Sequence, residues 1–213
     1  MQVISVHPVD PKPSRVAVAV EVLRAGGVVA IPTETFYGLA VDASQPEALA
    51  KLNSIKRKET DSPSLLLASD VGQISAVAEI PEGPFEALAE AFWPGPLTLV
   101  LPAVADLPRE VGGAGEAAGT VAVRVPGLAL PRLIAAELGF PISGVSANRH
   151  REPAPRTAAD VATSLAGELD LILDAGLTPG GAPSSLIDLS GERPRLLREG
   201  ILRRSALERF LAL

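Results

Sequence analysis

Six short segments of the chain carry side chains that could hold or activate a small polar ligand. The first, Pro32-Thr33-Glu34-Thr35-Phe36-Tyr37-Gly38-Leu39, sets two hydroxyls and a carboxylate side by side. Such groups can read an amine, a hydroxyl or a carboxylate, or simply cap a turn by bonding to the local backbone. The second is Lys56-Arg57-Lys58, three consecutive cations in a chain of formal net charge −6. They can neutralise phosphate oxygens, or complement a helix C-terminus with no ligand at all. The third is Thr120-Val121-Ala122-Val123-Arg124-Val125-Pro126, in which a guanidinium interrupts an apolar run. Inside a fold it must meet water, a carboxylate or a ligand anion. An edge strand with one solvated face is the plainer alternative.

The fourth segment is Ser143-Gly144-Val145-Ser146-Ala147-Asn148, followed by Pro153 and Thr157. Ser146 and Asn148 are two apart and point to one side of an extended chain. Together they could read a carboxylate, ribose or phosphate, although Asn148 could equally cap the next turn. The fifth, Gly180-Gly181-Ala182-Pro183-Ser184-Ser185, consists of small residues that let an anion approach the backbone. The sixth is Leu197-Arg198-Glu199-Gly200, where Arg198 could bridge to a phosphate. There is no GxxxxGK[ST] loop, no HExxH and no cysteine, and the two histidines, His7 and His150, lie far apart. Thiolate ligands and disulfides are excluded, and no dedicated metal site is expected.

Interleaved strands and helices must position these groups. Residues 14–25 read as a helix with Ser14 as N-cap and Gly26 as stop. Gly27–Ile31 reads as a buried strand ended by Pro32, and 46–55 as a helix with Ala48, Leu49, Leu52 and Ile55 on one face. Further strands are expected at 65–68, 97–101, 120–125, 142–145, 170–173, 185–189 and 195–198. In 120–125, Val121, Val123 and Val125 share one face while Ala122 and Arg124 share the other. Helices are expected from near Asp70, over 128–138 with Gly139 as stop, from a Thr157 cap to about Leu165, and over 205–211. Gly112–Gly119 reads as a mobile loop. Some strands follow one another directly, which favours an α/β fold with a mixed sheet.

Composition agrees with a single folded domain over residues 1–213. Apolar residues make up 47% of 213, aromatics only 3%, and 19 glycines and 20 prolines fall between apolar runs. No apolar stretch reaches about 18 residues and the N-terminus lacks a leader pattern, so no membrane contact and a cytoplasmic location are expected. The negative net charge argues against broad adhesion to nucleic acid.

The order of the segments is more specific than any one of them. Apolar-PTET-x-YGL, a basic helix end, W-PGP-x-T (Trp93 to Thr98), TVAVRVP, S-x-N, small-PSS-x-ID and LREG-I resemble the threonylcarbamoyl-adenylate synthase (YrdC-like) family from about Gly26 to Ile201. The resemblance implies a twisted mixed sheet with helices around a large, partly basic concave site. It implies L-threonine, bicarbonate or CO2, and ATP as substrates. A threonine carbamate attacks the α-phosphorus, pyrophosphate leaves, and threonylcarbamoyl-AMP passes to a partner complex that modifies adenosine 37 of tRNA. Carried onto this chain, Lys56, Lys58 and Arg198 would act on the phosphates, with Mg²⁺ accompanying ATP. Thr33, Thr35, Arg124, Ser146 and Ser184 would hold threonine. Thr120, Asn148 and Thr157 would join Lys56, Lys58 and Arg198 at the nucleotide. Catalysis would come from positioning and electrostatics, with no nucleophile or strong base.

The chain departs from the family pattern in three places. Lys56-Arg57-Lys58-Glu59 replaces Lys-x-Arg-Pro, Ser62 precedes Pro63, and His150-Arg151 follows S-x-N. Lys58 keeps a charge but not a guanidinium fork. Two other functions are compatible with such a fold. One is an RNA-binding or ribosome-associated paralogue with weak RNA contact, disfavoured by the net charge and the scarcity of aromatic platforms. The other is a carbamoyl-adenylate former acting on carbamoyl phosphate, which usually sits in a longer chain with zinc motifs.

Overall fold

The computed structural model describes residues 1–56, 64–112, 118–149 and 152–211. In chain order the elements are β1 (Gln2–Ser5), α1 (Pro13–Arg24), β2 (Val29–Pro32), β3 (Tyr37–Ala40), α2 (Pro46–Lys56) and β4 (Leu65–Leu67). Then come α3 (Val71–Ile74), α4 (Phe85–Phe92), β5 (Leu97–Pro102), β6 (Thr120–Arg124), α5 (Ala129–Leu138), β7 (Ile142–Ser143) and β8 (Val145–Ser146). The chain continues through α6 (Ala158–Ser164), β9 (Leu171–Asp174), β10 (Ser185–Asp188), β11 (Arg195–Arg198) and α7 (Arg204–Leu211). No helix among the described residues is long and apolar enough to cross a membrane.

The strands form two mixed sheets. One has the order β1-β9-β2-β3-β8, the other β11-β10-β5-β6-β4-β7. The mixed α/β architecture agrees with the sequence reading; the division between two sheets is new. Its cause is visible at residues 142–146. The sequence reads 142–145 as one strand, but β7 closes the second sheet by pairing with β4, and β8 closes the first by pairing with β3. Only Gly144 separates them. A Cβ on Gly144 would lie 2.5 Å from Leu67 Cγ, so the crossing between sheets needs a residue with no side chain.

Alternation along the strands divides the core in two. Val29, Ile31, Leu171 and Leu173 turn toward Val16, Ala19, Val20 and Leu23 of α1 and toward Leu130 and Ile134 of α5. Ala30 and Ile172 turn the other way, into a larger core shared with Leu66, Leu97, Leu99, Val121 and Val123 of the second sheet. Each buried Leu or Ile contributes roughly 1.5–3 kcal/mol. The alternation expected for 120–125 holds: Val121, Val123 and Val125 enter the core. The register aligns Leu67 with Arg124, placing them side by side on the opposite face.

Local signals account for most boundaries. Gly26 and Gly139 end α1 and α5 at φ of 75° and 87°. Asp70 caps α3 by accepting from Gln73 N, and Thr157 caps α6 in a capping box with Asp160. Ser14 does not cap α1. Pro13 occupies the first turn and Lys12 stands at the N-cap without a side-chain bond, because the fixed φ of proline starts the helix earlier. The sequence reading assigns no element to β1, β3 or α4. β3 lies within the PTET-x-YGL motif, as the second arm of a hairpin with β2. Within the reading of 112–119 as a loop, residues 113–117 lie outside the described residues.

Candidate active site

A cavity of about 380 Å³ opens where the edges of the two sheets meet. Its wall takes Thr33, Thr35, Phe36, Tyr37 and Gly38 from the β2–β3 hairpin and Leu65, Leu67 and Arg124 from the second sheet. Gly144, Val145, Ser146 and Asn148 come from the crossing segment, Pro183, Ser184 and Arg198 from the β10–β11 side, and Lys56 from the end of α2. Five of the six sequence segments, and Lys56 of the second, therefore converge on one space. Lys58, with the departures at Ser62 and His150-Arg151, lies outside the described residues.

Among the described residues, three cations face the cavity. Lys56 Nζ donates to the Ser146 carbonyl at 2.6 Å, to the Asn148 carbonyl, and to Asn148 Oδ1 at 3.2 Å. The helix end is thereby strapped to the S-x-N segment. Arg198 donates through Nε and Nη2 to the Ser184 carbonyl at 3.1 and 3.0 Å, and through Nη2 to Ser184 Oγ at 3.3 Å. Burial lowers the Arg198 pKa, and the nearby positive charge of Arg124 lowers it further. An anion between these two guanidiniums would relieve that repulsion.

Arg124 is 3% exposed. Its Nε donates to the Gly95 carbonyl at 3.0 Å, and Nη2 lies 2.5 Å from Glu34 Oε1. The sequence leads one to expect a ligand carboxylate opposite Arg124; the protein itself supplies Glu34. The approach is an ion pair without an aligned hydrogen bond, so Arg124 Nη2 and Glu34 Oε2 are both buried with no hydrogen-bond partner in the protein. Glu34 Oε1 also accepts from Gly127 N at 2.7 Å.

The hydroxyls divide into engaged and available. Thr33 Oγ1 donates to the Phe36 carbonyl at 2.8 Å and accepts from Thr35 N and Phe36 N at 3.1 and 3.3 Å. It holds the hairpin turn, as the plainer reading has it. Its proton is committed to Phe36, so Thr35 Oγ1 donates across their 2.8 Å contact and keeps its lone pairs for a ligand donor. Ser184 Oγ lies 2.8 Å from Thr98 Oγ1. Ser146 is exposed at the rim. Asn148 turns its amide nitrogen to the Arg149 carbonyl at 3.0 Å and to the Glu152 carbonyl, so it braces the next turn. Thr120 and Thr157 are not among the residues lining this cavity. The Thr157 hydroxyl accepts from Asp160 N at 3.1 Å in its helix cap.

Several wall residues had no place in the sequence reading of the site. Tyr37 is fully buried; its hydroxyl donates to the Gly176 carbonyl at 2.9 Å and accepts from Ala175 N at 3.0 Å, tying β3 to the end of β9. Burial raises the Tyr37 pKa, with Asp174 adding to the shift. Glycines make room for the wall. A Cβ on Gly200 would stand 2.2 Å from the Pro183 carbonyl oxygen, and one on Gly38 3.3 Å from that of Val145. The glycines in YGL, S-G-V-S and LREG were the available signal, but their reason is a distant chain segment. Asn148 also lines a second, more open groove of about 570 Å³, with Glu152, Pro155, Arg156 and Asp160.

Residues 21–200 match the Sua5/YciO/YrdC family model, described as "Telomere recombination". The chain is 38% identical over 198 residues to a threonylcarbamoyl-AMP synthase of Pyrococcus abyssi, covering 92% of this chain but 57% of that protein. It is 35% identical over 181 residues to a threonylcarbamoyl-AMP synthase of Coxiella burnetii, covering 84% of this chain and 95% of that one. Among solved structures, the Pyrococcus abyssi Sua5 protein complexed with L-threonine superposes with a TM-score of 0.90 at 37% identity, over 99% of this chain and 61% of the other. The fold, the shared segments and these matches together place the chain in the Sua5/YciO/YrdC family.

Proposed function

We propose that this protein is a nucleotidyltransferase that makes threonylcarbamoyl-AMP and pyrophosphate from L-threonine, bicarbonate or CO2, and ATP. The threonine amine and bicarbonate give a carbamate and water. A carbamate oxygen bonds to the α-phosphorus of ATP as the bond to the pyrophosphate oxygen breaks. The observation that carries the reading is the convergence of Lys56, Arg124 and Arg198 with the hydroxyls of Thr35 and Ser184 on one cavity. An amino-acid carboxylate suits the guanidinium of Arg124 in a charge-assisted pair, and the phosphates suit Lys56 and Arg198. The groove that shares Asn148 gives a nucleotide room to extend beyond the cavity. The named relatives, including a threonine-bound one, support the same reading.

Magnesium belongs to the proposal as a companion of ATP. No group of three or more carboxylate or imidazole side chains stands together among the described residues. Magnesium would be carried on the nucleotide phosphates, its usual mode, with charge neutralisation as its contribution. The product, a reactive mixed anhydride, would pass to a partner that modifies adenosine 37 of tRNA. The test is pyrophosphate release from ATP and bicarbonate with and without L-threonine. Release that needs both bicarbonate and threonine is expected; threonine-independent release, or none, would overturn the reading. L-serine should turn over several-fold more slowly, because Leu65, Leu67 and Val145 offer apolar cover for the threonine methyl, worth roughly 1 kcal/mol.

A further inference from the structure

We propose that Glu34 is a positioning residue for the amino-acid carboxylate: held behind Arg124, it aims the guanidinium at the cavity without itself touching the ligand. The inference rests on the amino-acid reading of the cavity given above. Three observations carry it. First, Glu34 is not part of the cavity wall, whereas Arg124 is, so the acid stands behind the base. Second, Glu34 is fixed from a second side. Its Oε1 accepts from Gly127 N at 2.7 Å while lying 2.5 Å from Arg124 Nη2, and a Cβ on Gly127 would press on Oε1 at 3.1 Å and on Cδ at 3.3 Å. The carboxylate therefore sits in a fitted recess formed by the chain just after β6. Third, Arg124 is 3% exposed and lines the cavity, yet its contacts with the protein engage only Nε, at the Gly95 carbonyl, and Nη2, beside Glu34 Oε1. A ligand carboxylate can meet the donors on the rest of the guanidinium in a charge-assisted pair.

These contacts define a geometry. Nε is spent on the Gly95 carbonyl and Nη2 is drawn toward Glu34, which fixes the plane of the guanidinium at two points. What remains of the donor fork is turned into the cavity, where a carboxylate can meet it. Glu34 also offsets one of the two guanidinium charges, Arg124 and Arg198, that share the space. Without that anion Arg124 would be pushed away from Arg198 and lose its aim. A competing idea is that Glu34 occupies the place of the ligand carboxylate and must leave on binding. Its second anchor at Gly127 and its position outside the wall argue for a fixed support.

The experiment compares binding of L-threonine with that of L-threoninol, which lacks the carboxylate, by calorimetry on the full chain. Wild type is expected to prefer L-threonine. In Glu34→Gln, L-threonine should bind about tenfold more weakly while L-threoninol binding is unchanged, the pattern of a damaged carboxylate clamp. Equal weakening of both ligands would mark a general structural role and overturn the inference. So would unchanged binding, and so would tighter L-threonine binding, the signature of a competitor removed. Gly127→Ala provides a second route should Glu34→Gln fold poorly. It displaces the carboxylate while leaving both charges in place, and the same selective loss is expected. A wild-type protein that binds no L-threonine would overturn the amino-acid reading and this inference together. Normal wild-type binding with two silent variants would overturn this inference alone.

Discussion

Lys56 at the last residue of α2 donates to the carbonyl of Ser146 in β8 at 2.6 Å, joining two motifs 90 residues apart. A cation that suits a phosphate is thus also a strap on the segment that closes the cavity. Its two roles cannot be separated by looking at the helix alone.

Replacing Lys56 with alanine should therefore lower ATP-dependent pyrophosphate release by at least about tenfold, combining a lost charge with a loosened 146–148 segment. Lys51 is the control. It lies on the same helix and pairs with Asp170 at 2.8 Å, but both side chains are 44% exposed. Lys51→Ala should leave release near the wild-type rate and cost less than about 1 kcal/mol in a urea titration. Equal damage from both variants would contradict the site assignment.

Arg124→Ala should weaken L-threonine binding by about 2–4 kcal/mol, since it truncates one partner of a desolvated charge pair. ATP affinity, measured separately by calorimetry, should change much less. Arg124→Lys keeps the charge but cannot reach Gly95 and Glu34 while also presenting a fork, so it should recover little of the lost affinity. A drop in melting temperature with normal threonine binding would reduce Arg124 to a scaffold residue.

The crossing at Gly144 should be intolerant of any side chain. A Cβ there meets Leu67 Cγ at 2.5 Å and both Cδ atoms at 2.8 Å. Gly144→Ala is expected to cost about 1–3 kcal/mol by overpacking. Leu67→Ala should cost about 2–5 kcal/mol by leaving a cavity. The double variant should be more stable than the sum of the two losses implies, because each change makes room for the other. Strict additivity in denaturant unfolding would show that the contact is not what excludes a side chain.

Asp188 gives the fold an acid-sensitive joint. Burial raises its pKa, but bonds from the Ser190 hydroxyl, Arg195 and Ser190 N outweigh burial and hold the carboxyl below the ordinary carboxylate range. A group whose folded pKa is depressed stabilises the fold above its unfolded value near 4, and that contribution fades as pH falls through the folded value. Asp188→Asn should lose about 1–2 kcal/mol at pH 7, in keeping with three charge-assisted contacts at 2.6 to 2.9 Å. Its stability should then fall less steeply than wild type below about pH 4. Parallel acid-unfolding curves would exclude this role.

The amino-acid sequence by itself determined the interior of the elements and much of the site's inventory. The alternation of Val121 and Val123 against Ala122 and Arg124, the Thr157 cap and the glycine stops are local, because strand pleat and helix capping depend on near neighbours. The ordered motifs also point to Lys56, Arg124, Ser184 and Arg198, which the structure gathers on one cavity. Only the tertiary structure decided that 142–146 divides between two sheets, since the reason is Leu67 lying against Gly144. Only it distinguished Thr33, spent on its own turn, from Thr35, left available, because that depends on where one proton goes. And only it supplied Glu34 as the anion for Arg124. The two residues are far apart in the chain, and their meeting is set by the hairpin and β6 arriving at the same wall, a long-range event with no local signature.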